Sequence, residues 1–251
     1  MQRQRTNRHP SACNSALKLI LLASLWLASL GAWAAAGVVT HLSGTLVARL
    51  ADGGSRVLSV KSSVNEGELL VTQDNTYARL KFQDGGEIVL RPNSQLEVNQ
   101  YTYQAEKKEA DSMGVNLLKG GMRMVTGALG KRNPERVKIE TPVATIGIRG
   151  THLGMLLCRG DCRDMPTVTG RAPQDGLHVD VAEGVIAVTN PAGQQIIAVG
   201  QFGYVQSRES PPTLVPPSQG IQVTMPQSIS QNDTSGRSVG TTNQACECSV
   251  Q

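Results

Sequence analysis

The sequence predicts an all-β fold, and three observations carry that reading. Apolar and polar residues alternate with a period of two in several short runs, such as Tyr77–Phe82 and His178–Ala182, the pattern of half-buried strands. Gly-rich reversals separate such runs: Asp52-Gly53-Gly54, Asp84-Gly85-Gly86 and Pro191-Ala192-Gly193 each read as a turn joining paired strands. No run of helical period exceeds two turns. With only 2 Phe, 4 Tyr and 2 Trp in the chain, the core has to be built from Val, Leu and Ile.

Residues 1–36 read as a secretory signal. Arg3, Arg5, Arg8 and Lys18 form a basic start, and Leu19–Leu30 is an apolar run too short to cross a bilayer comfortably. Ala32-Trp33-Ala34 and Ala34-Ala35-Ala36 are small-x-small sites, so cleavage is expected near Ala34 or Ala36. The competing reading is an uncleaved anchor. The formal charge of +4 belongs to this segment, and the remainder is neutral, with 20 basic against 20 acidic residues. A nucleic-acid partner, which needs a surplus of clustered Lys and Arg, is not expected. After cleavage no membrane span remains.

Residues 37–206 form one domain of short strands. Ala105–Met113 is polar and reads as a short exposed helix or a loop, and Gly127–Glu135 as a loop. Gly67–Thr72 and Gly120–Thr126 echo each other, each followed by strands. Gly-rich corners suit an open sheet wrapped on itself, a β-solenoid or a flattened jelly roll, with a conventional up-and-down sandwich as the alternative.

The densest block is Ile139–Thr151, IETPVATIGIRGT. Ile139, Val143, Ile146 and Ile148 favour strand, and Pro142 belongs at a strand start, an edge or a bulge. Gly150 permits a positive φ that Arg149 and Thr151 resist. Two roles are open for Arg149. Its fork turns inward to bond carbonyls, the reading we favour, or it holds an anionic ligand or a partner's carboxylate.

Five cysteines occur, and Cys13 lies in the signal. Four in an exported chain favour disulfides. Cys158 and Cys162 flank a three-residue turn that brings them within bridging distance. Cys246 and Cys248 either bond to each other or reach back to the first pair. Zinc is the competing reading for these spacings. The loop Arg159-Gly160-Asp161 spells an adhesion tripeptide and is also ordinary turn chemistry.

Residues 207–251 are rich in Ser, Thr, Gln, Asn and Pro, and read as a disordered tail. His41, His152 and His178 have no metal or triad spacing, His178 reading as a surface or half-buried strand residue. No catalytic or cofactor motif is present, so the expectation is a protein that is not an enzyme and has no metal or cofactor.

The block TPVATIGIRGT, with Thr141, Pro142, Arg149, Gly150 and Thr151, resembles the signature of FecR-type periplasmic domains. Three more blocks agree in order: Glu66–Thr72, Ala78–Leu90 and Val181–Val188, so the resemblance covers residues 37–205. It implies an all-β fold and protein–protein interaction in the Gram-negative envelope, with an envelope protein as partner. The best-known relatives pass a transporter's signal through the membrane to a sigma factor. Here roughly 18 residues precede the apolar run, so the expectation is a periplasmic or secreted binding module and not direct sigma control. The alternatives are a membrane-anchored signalling regulator and an enzyme acting on envelope polysaccharide.

Overall fold

Three long strands that each change partners halfway along their length organise the molecule. The computed structural model describes residues 35–230 except 164, 166 and 168. In chain order the strands are β1 (Gly37–Ser43), β2 (Leu46–Arg49), β3 (Ser55–Leu58), β4 (Ser63–Val64), β5 (Leu69–Thr72), β6 (Tyr77–Phe82), β7 (Glu87–Leu90) and β8 (Gln95–Thr102). After them come β9 (Ser112–Val125), β10 (Val137–Glu140), β11 (Thr145–Cys158), β12 (Gly176–Asn190), β13 (Gly193–Ala198), β14 (Phe202–Val205) and β15 (Thr213–Val215). All belong to one open sheet.

The register splits that sheet into two layers. The first runs β4-β1-β6-β7, then the C-terminal halves of β9 and β11, the N-terminal half of β12, and β14-β15. The second runs β3-β2-β5-β8, then the N-terminal halves of β9 and β11 with β10 between them, the C-terminal half of β12, and β13. Both layers feed one aliphatic cluster: Leu80, Ile88, Met122 and Val179 from the first, Leu46, Leu70, Ile139 and Ile186 from the second. The all-β expectation of an open sheet wrapped on itself is met, and the three expected turns lie where the sequence put them, between β2 and β3, β6 and β7, and β12 and β13.

The RGT block is the corner where β11 passes between layers. Its pairing with β12 shifts register between Arg149 and His152. Gly150 has φ +58° and Gly184 opposite it φ +80°. A Cβ on Gly184 would lie 2.5 Å from the Gly150 carbonyl oxygen, so the two strands meet backbone to backbone. Thr151 donates its N–H to Thr126 Oγ1 (3.0 Å), and Thr126 returns its own N–H to the Thr151 carbonyl (3.1 Å). At the start of the block Thr141 closes the β10–β11 turn, donating Oγ1–H to the Ala144 carbonyl (2.8 Å) and accepting the Ala144 N–H (3.0 Å). Pro142 sits inside that turn, where no ladder bond is lost.

Two expectations change. Gly127–Glu135 is not a loop throughout: Ala128–Arg132 forms helix α1, and Pro134–Arg136 a 3-10 turn. The cause lies far away in sequence. Asp84 accepts the first helical N–H groups, from Ala128 on its carbonyl (2.9 Å) and from Leu129 on its carboxylate (3.1 Å). The tail does not begin at Ser207 either. β15 pairs with β14, and Ile221, Val223 and Met225 are buried against Val89 and Leu156 on the outside of the first layer. Residues 227–230 form a last helical turn, α2. Average composition hid a segment whose apolar residues alternate. Residues 1–34 of the signal, Cys246 and Cys248 lie outside the described residues, as does the tail beyond Ser230.

Candidate functional site

Alternation along the second layer decides what its outer face carries. In β11, Ile146 and Ile148 point into the core, so Thr145, Gly147 and Arg149 point out. In β10 the outward residues are Lys138 and Glu140, and in β12 they are Val185, Ala187 and Thr189. Register aligns Lys138, Gly147, Ala187 and Ile196 in one row across four strands. The middle of that row has almost no side chain. The result is an open groove of about 620 Å³, floored by Gly147 and Ala187. Arg149, Val185 and Glu135 border it on one side, Thr189 and Gln194 on the other. Ile196 is 51% exposed beside it. Among the described residues β13 pairs with no strand besides β12, but its outer edge is partly taken: Gln201 Oε1 accepts the Ala198 N–H (2.8 Å), the Ala198 carbonyl accepts the Gln201 N–H (3.0 Å) and the Ile196 carbonyl accepts Gln195 Nε2–H (2.8 Å).

Arg149 therefore does not turn inward to bond carbonyls, because Ile148 takes the core position next to it. It is exposed at the groove rim. A guanidinium fork beside an open apolar strip can hold an extended chain bearing a carboxylate. The structure brings Arg149 together with this groove. It leaves Thr141, Pro142, Gly150 and Thr151 as the turn and corner that aim it.

Cys158 and Cys162 are elsewhere, at the far end of β11, joined to each other with Cα atoms 5.5 Å apart. The bond engages both sulfurs that the zinc reading needed. Inside that ring Asp161 accepts the Arg159 N–H (2.9 Å) and pairs with Lys119 (3.3 Å), which is turn chemistry. Among the described residues no cluster of His, Cys, Asp and Glu could hold a metal ion, and no helix is long and apolar enough to cross a membrane.

Sequence reasoning missed a second polar constellation, on the outside of the first layer. Arg123 of β9 donates to Asp180 of β12 (3.1 Å), to His152 Nε2 (3.0 Å) and to the Val223 carbonyl (2.7 Å). Asp180 accepts the Val223 N–H (3.0 Å). Burial raises the Asp180 carboxyl pKa, while Arg123 and the Val223 N–H oppose the shift. His152 is pushed down to about 4 by burial and by Arg123. His178, expected at the surface or half-buried, is buried too, with Nε2 2.8 Å from the Gln174 carbonyl. The legible signal was the Ile221-x-Val223-x-Met225 spacing of the segment that covers this face.

Residues 68–187 match the family model described as FecR protein. No curated protein matches the chain. Two crystal structures of a proposed anti-sigma factor from Parabacteroides distasonis ATCC 8503 resemble it at 11% identity, with TM-scores of 0.43 and 0.42. Each likeness covers 59% of this chain and 58% of the other.

Proposed function

From the premise that this chain carries a FecR-type domain, we propose that it is an exported, non-catalytic binding module of the Gram-negative envelope. It works by gripping a protein partner in the groove beside Arg149. The observation that carries this is the outward Arg149 on an open groove whose floor, Gly147 and Ala187, is bare. The partner's contribution is an extended segment with an acidic residue.

The N-terminus supports export with cleavage after Ala34. Ala36 is buried, and its carbonyl accepts the Gln83 N–H (3.2 Å). Cleavage after Ala36 would remove that contact, and cleavage after Ala34 preserves it. N-terminal sequencing of envelope protein should begin at Ala35. A start at Met1 would favour the membrane-anchored regulator instead.

The partner reading is tested by crosslinking in intact envelopes with wild type and Arg149→Ala. The crosslinked species should disappear in the variant while the melting temperature stays within about 1 °C, as for a surface change. Equal crosslinking of both proteins would remove Arg149 from the site.

A further inference from the structure

The outside of the first layer is built to hold a peptide by its backbone. The chain's own segment 221–225 lies across it, with Ile221, Val223 and Met225 buried and Gln222 and Thr224 exposed. Three side chains take its main chain. Asp180 accepts the Val223 N–H, Arg123 donates to the Val223 carbonyl, and Arg91 donates to the Thr224 carbonyl (2.5 Å). Gly154, opposite Asp180 in the ladder, clears the seat: a Cβ there would fall 2.0 Å from Asp180 Oδ2 and 2.7 Å from Val223 Cβ.

Arg123 and Asp180 are 3% and 5% exposed as side chains. A buried ion pair is a poor way to fasten a permanent strap, since well-packed apolar residues of the same volume do as well or better. It is a good way to grip main-chain N–H and C=O groups whatever side chains flank them. The segment also follows a stretch carrying Pro211-Pro212 and Pro216-Pro217, and it lies beyond the 68–187 family match.

We propose that this face is a peptide-binding site, distinct from the Arg149 groove, and that residues 221–230 occupy it in cis as an exchangeable plug. The partner it fits is an extended segment of another protein with apolar side chains at alternate positions and an uncharged residue in the place of Val223. Tethering gives the plug a high effective concentration, so a competing segment binds appreciably only when the plug is weakened.

The test uses the full chain. In wild type, hydrogen exchange at the Val223 amide should be at least a hundredfold faster than at core amides of β11 and β12 such as Met155 and Val179, because the plug opens without global unfolding. Equal protection would make the segment a fixed part of the core and overturn the proposal. A labelled peptide copying residues 218–230 should then bind Val223→Asp at least tenfold more tightly than wild type, read by fluorescence anisotropy on protein that retains a cooperative melt. Equal binding by both proteins, or none by either, would also overturn it. The exchange comparison stands even where Val223→Asp does not fold.

Discussion

The two outer faces of this sheet come from the same three long strands and end in opposite states. Along β11 the first seven residues or so present Thr145, Gly147 and Arg149 to an open groove, while the later residues are buried on both sides. The open face keeps its charges in water. The covered face has drawn Arg123, Asp180 and His152 under a segment from the chain's own end. The difference teaches that strand alternation assigns a residue to a side, and that whether the side is wet is decided by chain far away in sequence.

The sharpest way to break the comparison is to add bulk at Gly154. Valine there would drive its Cβ into the Asp180 carboxylate and the Val223 side chain, separating a buried ion pair from its partners. The expected loss is about 3–5 kcal/mol, the range for a disrupted buried pair, read by denaturant unfolding. Retention of wild-type stability would mean that the covering segment is not seated on this face.

Acid should expose the covered face next. His152 has a folded pKa of about 4 against an ordinary 6.5, so the unfolded chain takes up its proton first as pH falls. The stability tied to the neutral ring is present above pH 6.5, lost between 6.5 and 4, and falls no further below that. Allowing for a ring that is only partly buried, the loss is about 2 kcal/mol. His152→Gln keeps an acceptor for Arg123 and does not titrate. Wild type should therefore lose melting temperature relative to this variant from pH 7 to pH 4. The raised pKa of Asp180 acts in the opposite direction and is common to both proteins. Parallel curves would show that His152 is not held neutral.

How much of this was legible follows from where each cause sits. The Asp84-Gly85-Gly86 turn was readable because its chemistry is local, with Gly86 N–H bonding Asp84 Oδ1 (3.0 Å). The same Asp84 also caps α1, 45 positions away, and no local pattern announces that. The direction of Arg149 was in the sequence, since Ile148 beside it had to be inside. Composition over residues 207–251 averaged an ordered, alternating stretch into a polar one. At Gly150 the backbone has φ +58°, and a positive φ at the corner of a strand flanked by β-branched residues leaves few choices besides glycine.

The corner between the faces gives a smaller effect. Gly150 has φ +58° but open space around its Cβ position. Gly150→Val should therefore cost only the strain of a β-branched residue in the left-handed region, about 1–3 kcal/mol. A loss well above that in thermal unfolding would mean the corner has no room to spare.

The smallest effect on stability belongs to Gly147, on the same strand as Gly154 and on the open face. Nothing lies within 4 Å of where its Cβ would be, and its φ is not in the left-handed region. Gly147→Leu should leave unfolding within about 0.5 kcal/mol of wild type, as for surface positions, or raise stability slightly, because glycine is a poor strand residue. Its side chain would nevertheless stand on the groove floor between Lys138 and Ala187. An extended segment laid there beside Arg149 would be lifted away from the sheet. Loss of the Arg149-dependent crosslink with unchanged melting would place the partner over Gly147. Crosslinking at the wild-type level would move the partner off the groove floor and leave Arg149 acting from the rim alone.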